Sequence, residues 1–264
     1  MTSDDRPAWD PRLYAENTAH HRRYDDWFLD STPIQPGQRI LDLGCGSGDF
    51  TRTLADLVGD GEVVGIDPHP GFVEEASLRA GPNQRFAVGS AQNLSTVAGR
   101  GRFDGVVSRA ALQWAPCADQ PEIARQVSMV LKPGGWFRLE MSGAGNIRRV
   151  VALLDDVSSS MGGPSAPWCF ADTDWYLEVL ERAGFDVDEG HVRSVAQRRP
   201  FSSESLRGWL ESQTVIAYES SMTPSARDEF RRRVFSRLDE LRRQDGTYDQ
   251  TFVRLDVLAH HLGP

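Results

Sequence analysis

The sequence predicts an α/β fold built on a doubly wound, mostly parallel sheet. Two observations predict it. Short apolar runs alternate with helix-period segments from Arg39 to Met141, the pattern of successive βαβ units. The first of these runs, Ile40-Leu41-Asp42-Leu43, passes directly into Gly44-Cys45-Gly46-Ser47-Gly48 and then into a helical pattern. Alternate glycines remove the Cβ atoms that would keep a ligand off the backbone, and they tolerate positive φ at a tight turn. A strand that turns this way into a helix presents free N–H groups and a positive dipole end to a bound molecule. The segment reads as a nucleotide-type cofactor loop.

The elements follow in order. Residues 1–11 read as a loose arm, and about 12–31 as a helix with Leu13, Trp27, Phe28 and Leu29 turned inward. Pro33 and Pro36-Gly37 stop it. Strands are expected at Arg39–Leu43, Val63–Ile66, Arg85–Val88, Phe103–Ser108 and Trp136–Met141, the last entered through a sharp Lys132-Pro133-Gly134-Gly135 turn. Helices are expected at Asp49–Val58, Pro70–Arg79 and about 119–131. Beyond Met141 the pattern predicts a helix at Asn146–Val157 and a Ser-Gly-Pro-rich, mobile loop at Ser158–Ala171. A helix at Asp174–Ala183 is closed by Gly184, and Val187–Val195 is a strand. Two helices, Ser202–Ser212 and Thr223–Arg243, carry start signals in Ser202…Ser205 and Pro224, and Gly246 ends the second. Thr251–Leu258 is the final strand.

Composition narrows the partners. The 264 residues are 39% apolar and carry a net charge of −9, which disfavours nucleic acid, because phosphate binding needs a basic face. A small molecule is the expected partner. Lys132 is the one lysine, and the other 28 basic residues are arginine, a compositional bias. Cys45, Cys117 and Cys169 form neither a disulfide framework nor a metal knuckle by spacing, so no metal is expected and a reducing cytoplasm is. The polar N-terminus is no signal peptide, and no apolar run is long enough to span a membrane.

Four features align with the glycine loop. Asp67 ends the second strand 19 residues past Gly48, where a carboxylate accepts both hydroxyls of a ribose; its competing role is a helix N-cap before Pro68. Gly89-Ser90-Ala91-Gln92 forms a small polar turn after the third strand. Phe103-Asp104-Gly105-Val106-Val107-Ser108-Arg109 ends beside the loop at the sheet's switch point and runs into Ala110-Ala111-Leu112-Gln113-Trp114. Leu131-Lys132-Pro133-Gly134-Gly135 follows the next helix.

Taken together, these motifs resemble the class I S-adenosylmethionine-dependent methyltransferases over about residues 10–141. Trp9-Asp10-Pro11, Tyr14, Ala111-Leu112-Gln113-Trp114 and Arg207-Gly208-Trp209-Leu210 are most similar to trans-aconitate and other small-acid methyltransferases. The resemblance implies a seven-stranded sheet with an antiparallel last strand and a helical cap between the last two strands. It implies one domain over 1–264, comprising an N-terminal helical arm (1–36), a cofactor-binding core (37–141) and substrate-side helices, cap and last strands (142–264). It also implies S-adenosyl-L-methionine as cofactor and S-adenosyl-L-homocysteine as product. The implied cofactor residues are Tyr14, Asp42, Gly44, Gly46, Gly48, Asp67, Pro68, Ser90, Ala91, Gln92 and Arg109. Ser90 departs from the family, which often carries Asp there, and Arg109 is bulkier than the usual residue.

Methyl transfer from a sulfonium needs positioning and desolvation more than covalent chemistry. A carboxylate acceptor needs no base, whereas a hydroxyl does, for which His20 and His21 are weak candidates against a solvated helix face. Arginines clamp carboxylates well, and Arg148 and Arg149 follow the fifth strand on the ligand side, with Arg23 and Arg109 as further candidates. Trp114, Trp168 and Phe170 are candidates for an apolar pocket wall. The alternatives are a methyltransferase of a bulkier metabolite and a binder of the cofactor that transfers nothing. The glycine spacing disfavours a nicotinamide enzyme.

Overall fold

The computed structural model describes residues 25–220 and 222–263. Its elements in chain order are α1 (Asp25–Asp30), β1 (Arg39–Leu43), α2 (Asp49–Val58), β2 (Glu62–Asp67), α3 (Pro70–Leu78), β3 (Gln84–Val88), α4 (Leu94–Ala98), β4 (Phe103–Arg109), α5 (Gln120–Val130) and β5 (Leu131–Ser142). Then come α6 (Arg148–Ser160), α7 (Thr173–Arg182), β6 (Phe185–Arg199), α8 (Ser203–Gln213), α9 (Val215–Glu219), α10 (Pro224–Ser236) and β7 (Gln250–His261). The seven strands form one sheet in the order β3-β2-β1-β4-β5-β7-β6. The pairings β3-β2-β1-β4-β5 are parallel, and β7 runs antiparallel to β5. Strand order reverses between β1 and β4, so the carboxyl ends of these two strands flank the crevice in which such sheets bind ligands.

Both sheet faces are buried, and strand alternation divides the side chains between them. Leu41, Val106, Phe137 and Leu139 pack with Ile123 and Val127 of α5 and with Tyr176 and Leu180 of α7. Ile40, Val107 and Trp136 pack on the other face with Phe28 of α1 and with Leu54 and Val58 of α2. This second face also takes Arg138 and Glu140, two and four residues on from Trp136. Arg138 is fully buried, as is its ion-pair partner Asp256 on β7. The guanidinium also donates to the Val257 carbonyl at 2.9 Å and the Ser31 hydroxyl at 3.0 Å, and it lies 4.0 Å above the Phe28 ring. Asp256 further accepts from Arg193 at 2.7 Å and meets His191 Nε2 at 2.8 Å. Burial is the main influence on His191 and lowers its pKa.

Three expectations need correction. The 132–135 turn lies within β5, as a bulge: register runs from Phe103↔Leu131 to Gly105↔Trp136, with Gly134 at φ 74°. The single helix expected over 223–243 ends at Ser236, and a 3-10 turn, Leu238–Leu241, follows. The 158–171 loop starts later than expected and carries local hydrogen bonds. Helix α6 continues through Ser160, Ser158 Oγ donates to the Pro164 carbonyl at 2.6 Å, and the Ala166 N–H donates to Asp155 at 2.7 Å. Ser202 and Ser205 form the expected capping box on α8.

The contacts of the chain gather into two compact units. The larger comprises Trp27–Ala144, Trp168–Val195 and the residues from Arg254 onward. The smaller includes Gly145–Pro167 and Ala196–Val253. Within the smaller unit, Tyr218 donates to Asp155 at 2.8 Å and stacks on Phe230, while Phe201, Trp209 and Phe252 form an aromatic cluster. Among the described residues no helix is long and apolar enough to cross a membrane.

Candidate active site

The site begins where β1 ends. Gly44, Gly46 and Gly48 all take positive φ, at 81°, 51° and 81°. Two of them are required by packing. A Cβ on Gly44 would stand 2.2 Å from the Cβ of Ala111, and one on Gly48 would stand 2.9 Å from the ring of Phe86. Gly46 differs: among the described residues, a Cβ there would meet nothing within 4 Å. Its backbone therefore borders open space and forms a bare cradle that a side chain would fill.

Asp67, at the end of β2, holds this cradle in shape. One carboxylate oxygen accepts the Gly46 N–H at 3.0 Å, and the other accepts the His69 N–H at 2.8 Å. The N-cap reading of Asp67 is corrected: the N-cap of α3 is His69, whose N–H Asp67 accepts, while Asp67 itself sits against the glycine loop. The Gly44 and Cys45 N–H groups donate to the Ile66 carbonyl at 2.7 and 3.2 Å, binding loop to strand. The Gly89 N–H donates to the Asp67 carbonyl at 3.1 Å and brings the 89–92 turn alongside. In that turn Ser90 and Ala91 are half-buried, and Gln92 donates to Asp119 at 3.0 Å. Pro68 is exposed.

Asp42 lies beneath the loop, buried, and accepts the Thr51 hydroxyl at 2.6 Å. Burial pushes its pKa up to about 6, and the nearby Asp67 charge adds to the rise. Burial, with both carboxylates nearby, also keeps Cys45 a neutral thiol.

At the end of β4, Ser108 Oγ donates to the Leu43 carbonyl at 2.8 Å and joins the two switch-point strands. The buried Arg109 side chain points inward: its guanidinium lies 3.5 Å from Glu140 and 5.0 Å from the Phe50 ring centre. Glu140 also pairs with Arg254. Arg109 is therefore placed to anchor the sheet through Glu140. Ala110 takes φ 51°, a conformation that costs a non-glycine residue on the order of 1–2 kcal/mol. It is fixed by its own N–H to the Glu140 carbonyl (2.7 Å) and by Gln113 Nε2 to its carbonyl (2.7 Å). Sequence reasoning did not single out this strained turn, because only the backbone angle reveals it.

The turn leads into an aromatic wall. Trp114 packs edge-on to Trp168 at 5.8 Å, and Trp168 stacks on Phe170 at 5.5 Å. All three rings are half-buried. Cys117 and Cys169 are joined in a disulfide, which overturns the expectation that the cysteines are unrelated. Spacing alone could not pair residues 52 apart; the fold brings the loop after β4 against the 168–171 segment.

Arg148 is exposed at the start of α6. Arg149 donates to the carbonyls of Leu241 and Glu240, both at 2.8 Å, and of Arg242 at 3.2 Å, so its fork is occupied within the smaller unit. Tyr14, His20, His21 and Arg23 lie outside the described residues.

Comparison with known proteins agrees with this geometry. A family described as a methyltransferase domain matches residues 40–135. An uncharacterized methyltransferase of Schizosaccharomyces pombe is 28% identical over 261 residues, covering 96% of this chain and 97% of its own length. The trans-aconitate 2-methyltransferase of Rhodococcus jostii is 28% identical over 262 residues, covering 95% of this chain and 98% of that protein. The solved YcgJ protein of Bacillus subtilis superposes with a TM-score of 0.65 at 19% identity, over 92% of this chain and 100% of that one, a likeness that carries the fold.

Proposed function

Because the chain is a class I S-adenosylmethionine-dependent methyltransferase, we propose that it methylates a carboxylate of a small organic acid. The single observation that supports this acceptor most is the near end-to-end likeness to trans-aconitate 2-methyltransferases. When bound, the cofactor supplies an electrophilic methyl on a sulfonium that is already a good leaving group. The protein's share is placement and exclusion of water.

In this proposal the bare backbone at Gly46 admits the sugar and methionine portion of the cofactor. Asp67 holds the loop and takes the ribose hydroxyls. Ser90, Ala91 and Gln92 border the adenine, mainly through backbone. Trp114, Trp168 and Phe170 wall the acceptor pocket and keep water from the reacting oxygen. The acid is ionised at neutral pH, so no side chain has to remove a proton before transfer. Arg148 keeps a proposed role in acid binding on sequence grounds. We assign the reaction to the cytoplasm, where a disulfide is reversible rather than permanent.

One observation favours a second reading. The wall is aromatic, and Arg109 and Arg149 are engaged within the fold. A bulkier, apolar hydroxyl acceptor also fits those facts. The test is transfer of a deuterated methyl from the donor into a panel of di- and tricarboxylic acids, headed by trans-aconitate, read by mass spectrometry. A labelled monomethyl ester is expected. Label found only in phenols or alcohols would replace the acid reading with the second one.

A further inference from the structure

We propose that Cys117 and Cys169 are a reversible thiol–disulfide pair that sets the rigidity of the aromatic wall and, through it, the affinity for the acceptor. The effect on affinity rests on the acceptor reading above; the pair itself does not.

The placement of the two residues supports the proposal. Cys117 is exposed, in the turn between β4 and α5, while Cys169 is 1% exposed within the core. Access for a soluble thiol is therefore from the Cys117 side, since Cys169 is enclosed. Each cysteine stands next to the wall: Cys117 is three residues past Trp114, and Cys169 lies between Trp168 and Phe170. The bond ties together the two stretches of chain that carry the rings. Without it, the 168–171 segment is still held by the Cys169 N–H to the Gln113 carbonyl (2.9 Å) and by the Ala144 N–H to the Ala171 carbonyl (2.9 Å). Reduction therefore loosens the wall and leaves the fold intact. The glycine loop is held by other bonds, to Ile66 and Asp67, so cofactor affinity is insulated from the change.

The reductant is a small dithiol. Its thiolate attacks the Cys117 sulfur, the S–S bond breaks, and its electron pair leaves on Cys169, which takes up a proton. The second thiol of the dithiol then displaces Cys117. The dithiol is oxidised by two electrons to a cyclic disulfide, and the protein gains two thiols.

The experiment uses the full chain, air-oxidised or treated with dithiothreitol. It reads maleimide-labelled thiols by mass spectrometry, tryptophan emission, KM for the methylated acid, and Kd for S-adenosylhomocysteine. Reduction is expected to expose two further thiols, shift the emission and raise KM at least threefold, with Kd unchanged within twofold. Cys117→Ser is expected to show the higher KM in either condition. The proposal is overturned if the thiol count does not change, or if two thiols appear while emission and KM both stay fixed. A shift in emission with KM fixed would keep the switchable wall and instead remove the acceptor from it. The wild-type comparison decides the matter even if Cys117→Ser fails to fold.

Discussion

Replacing Gly46 by alanine separates a ligand-contacting glycine from glycines that only shape the chain. At Gly46 the added methyl meets no atom of the described residues within 4 Å, so among them the folded protein bears only the cost of φ 51° in a residue with a Cβ. That cost is on the order of 1–2 kcal/mol, and a chain of this size loses roughly 2–4 °C of Tm per kcal/mol. At Gly44 the same methyl stands 2.2 Å from the Ala111 Cβ, where carbon atoms prefer about 3.5–4.0 Å, and φ is 81°. There the loop itself must move. Gly46→Ala is therefore expected to remain folded, with a melting temperature within about 8 °C of wild type. Its Kd for S-adenosylhomocysteine in titration calorimetry should rise at least tenfold, a loss of about 1.4 kcal/mol. Gly44→Ala should lose both stability and binding. Wild-type affinity in a folded Gly46→Ala protein would refute the reasoning, because the open space beside Gly46 would then not be the cofactor's.

Other predictions concern charge and the fold. Asp42 has a folded pKa of about 6 against an ordinary value of 3.8, so the folded state holds its proton more tightly than the unfolded chain. The stability this provides is full below about pH 4 and is lost as pH rises through 6, a change of about 3 kcal/mol. Urea titrations at pH 4 and 7 should show this slope flattened in Asp42→Asn, and an unchanged slope would remove Asp42 as its source. Asp256→Asn leaves the Arg138 guanidinium buried without its counter-charge and should cost about 3–5 kcal/mol in chemical denaturation. Arg149→Ala removes three hydrogen bonds to backbone carbonyls and should lower stability by roughly 1–3 kcal/mol. Acceptor KM should be unchanged in that variant; a large KM increase with normal stability would restore Arg149 to substrate binding.

The parts of the fold that were legible are those with local causes. Strand β1 and helix α2 fall at their expected residues, because the apolar run, the glycine turn and the helical pattern all meet within Arg39–Val58. The capping serines marked the start of α8 for the same reason. The approach of Asp67 to the glycine loop was legible from the order of strand, loop and strand along the chain. Helix α9 was missed because Thr214 and five apolar or polar residues give too short a period to read. Features that depend on distant parts of the chain were not legible. Arg138 has the same local signature as any solvated arginine, and only the sheet order brings it to Asp256, 118 residues later. Cys117 and Cys169 are likewise joined by topology. The inward turn of Arg109 follows from Glu140 on the neighbouring strand, a pairing set by register.

The Arg138–Asp256 pair also constrains how the protein is made. The strand that bears the arginine is translated more than a hundred residues before the one that supplies its aspartate. Until the ribosome has released that strand, the half-finished sheet carries Arg138 beside Glu140 but without the aspartate that pairs with it. Chains that stop short of residue 256 lack that counter-charge, and their sheet is expected to be less stable than that of the full chain.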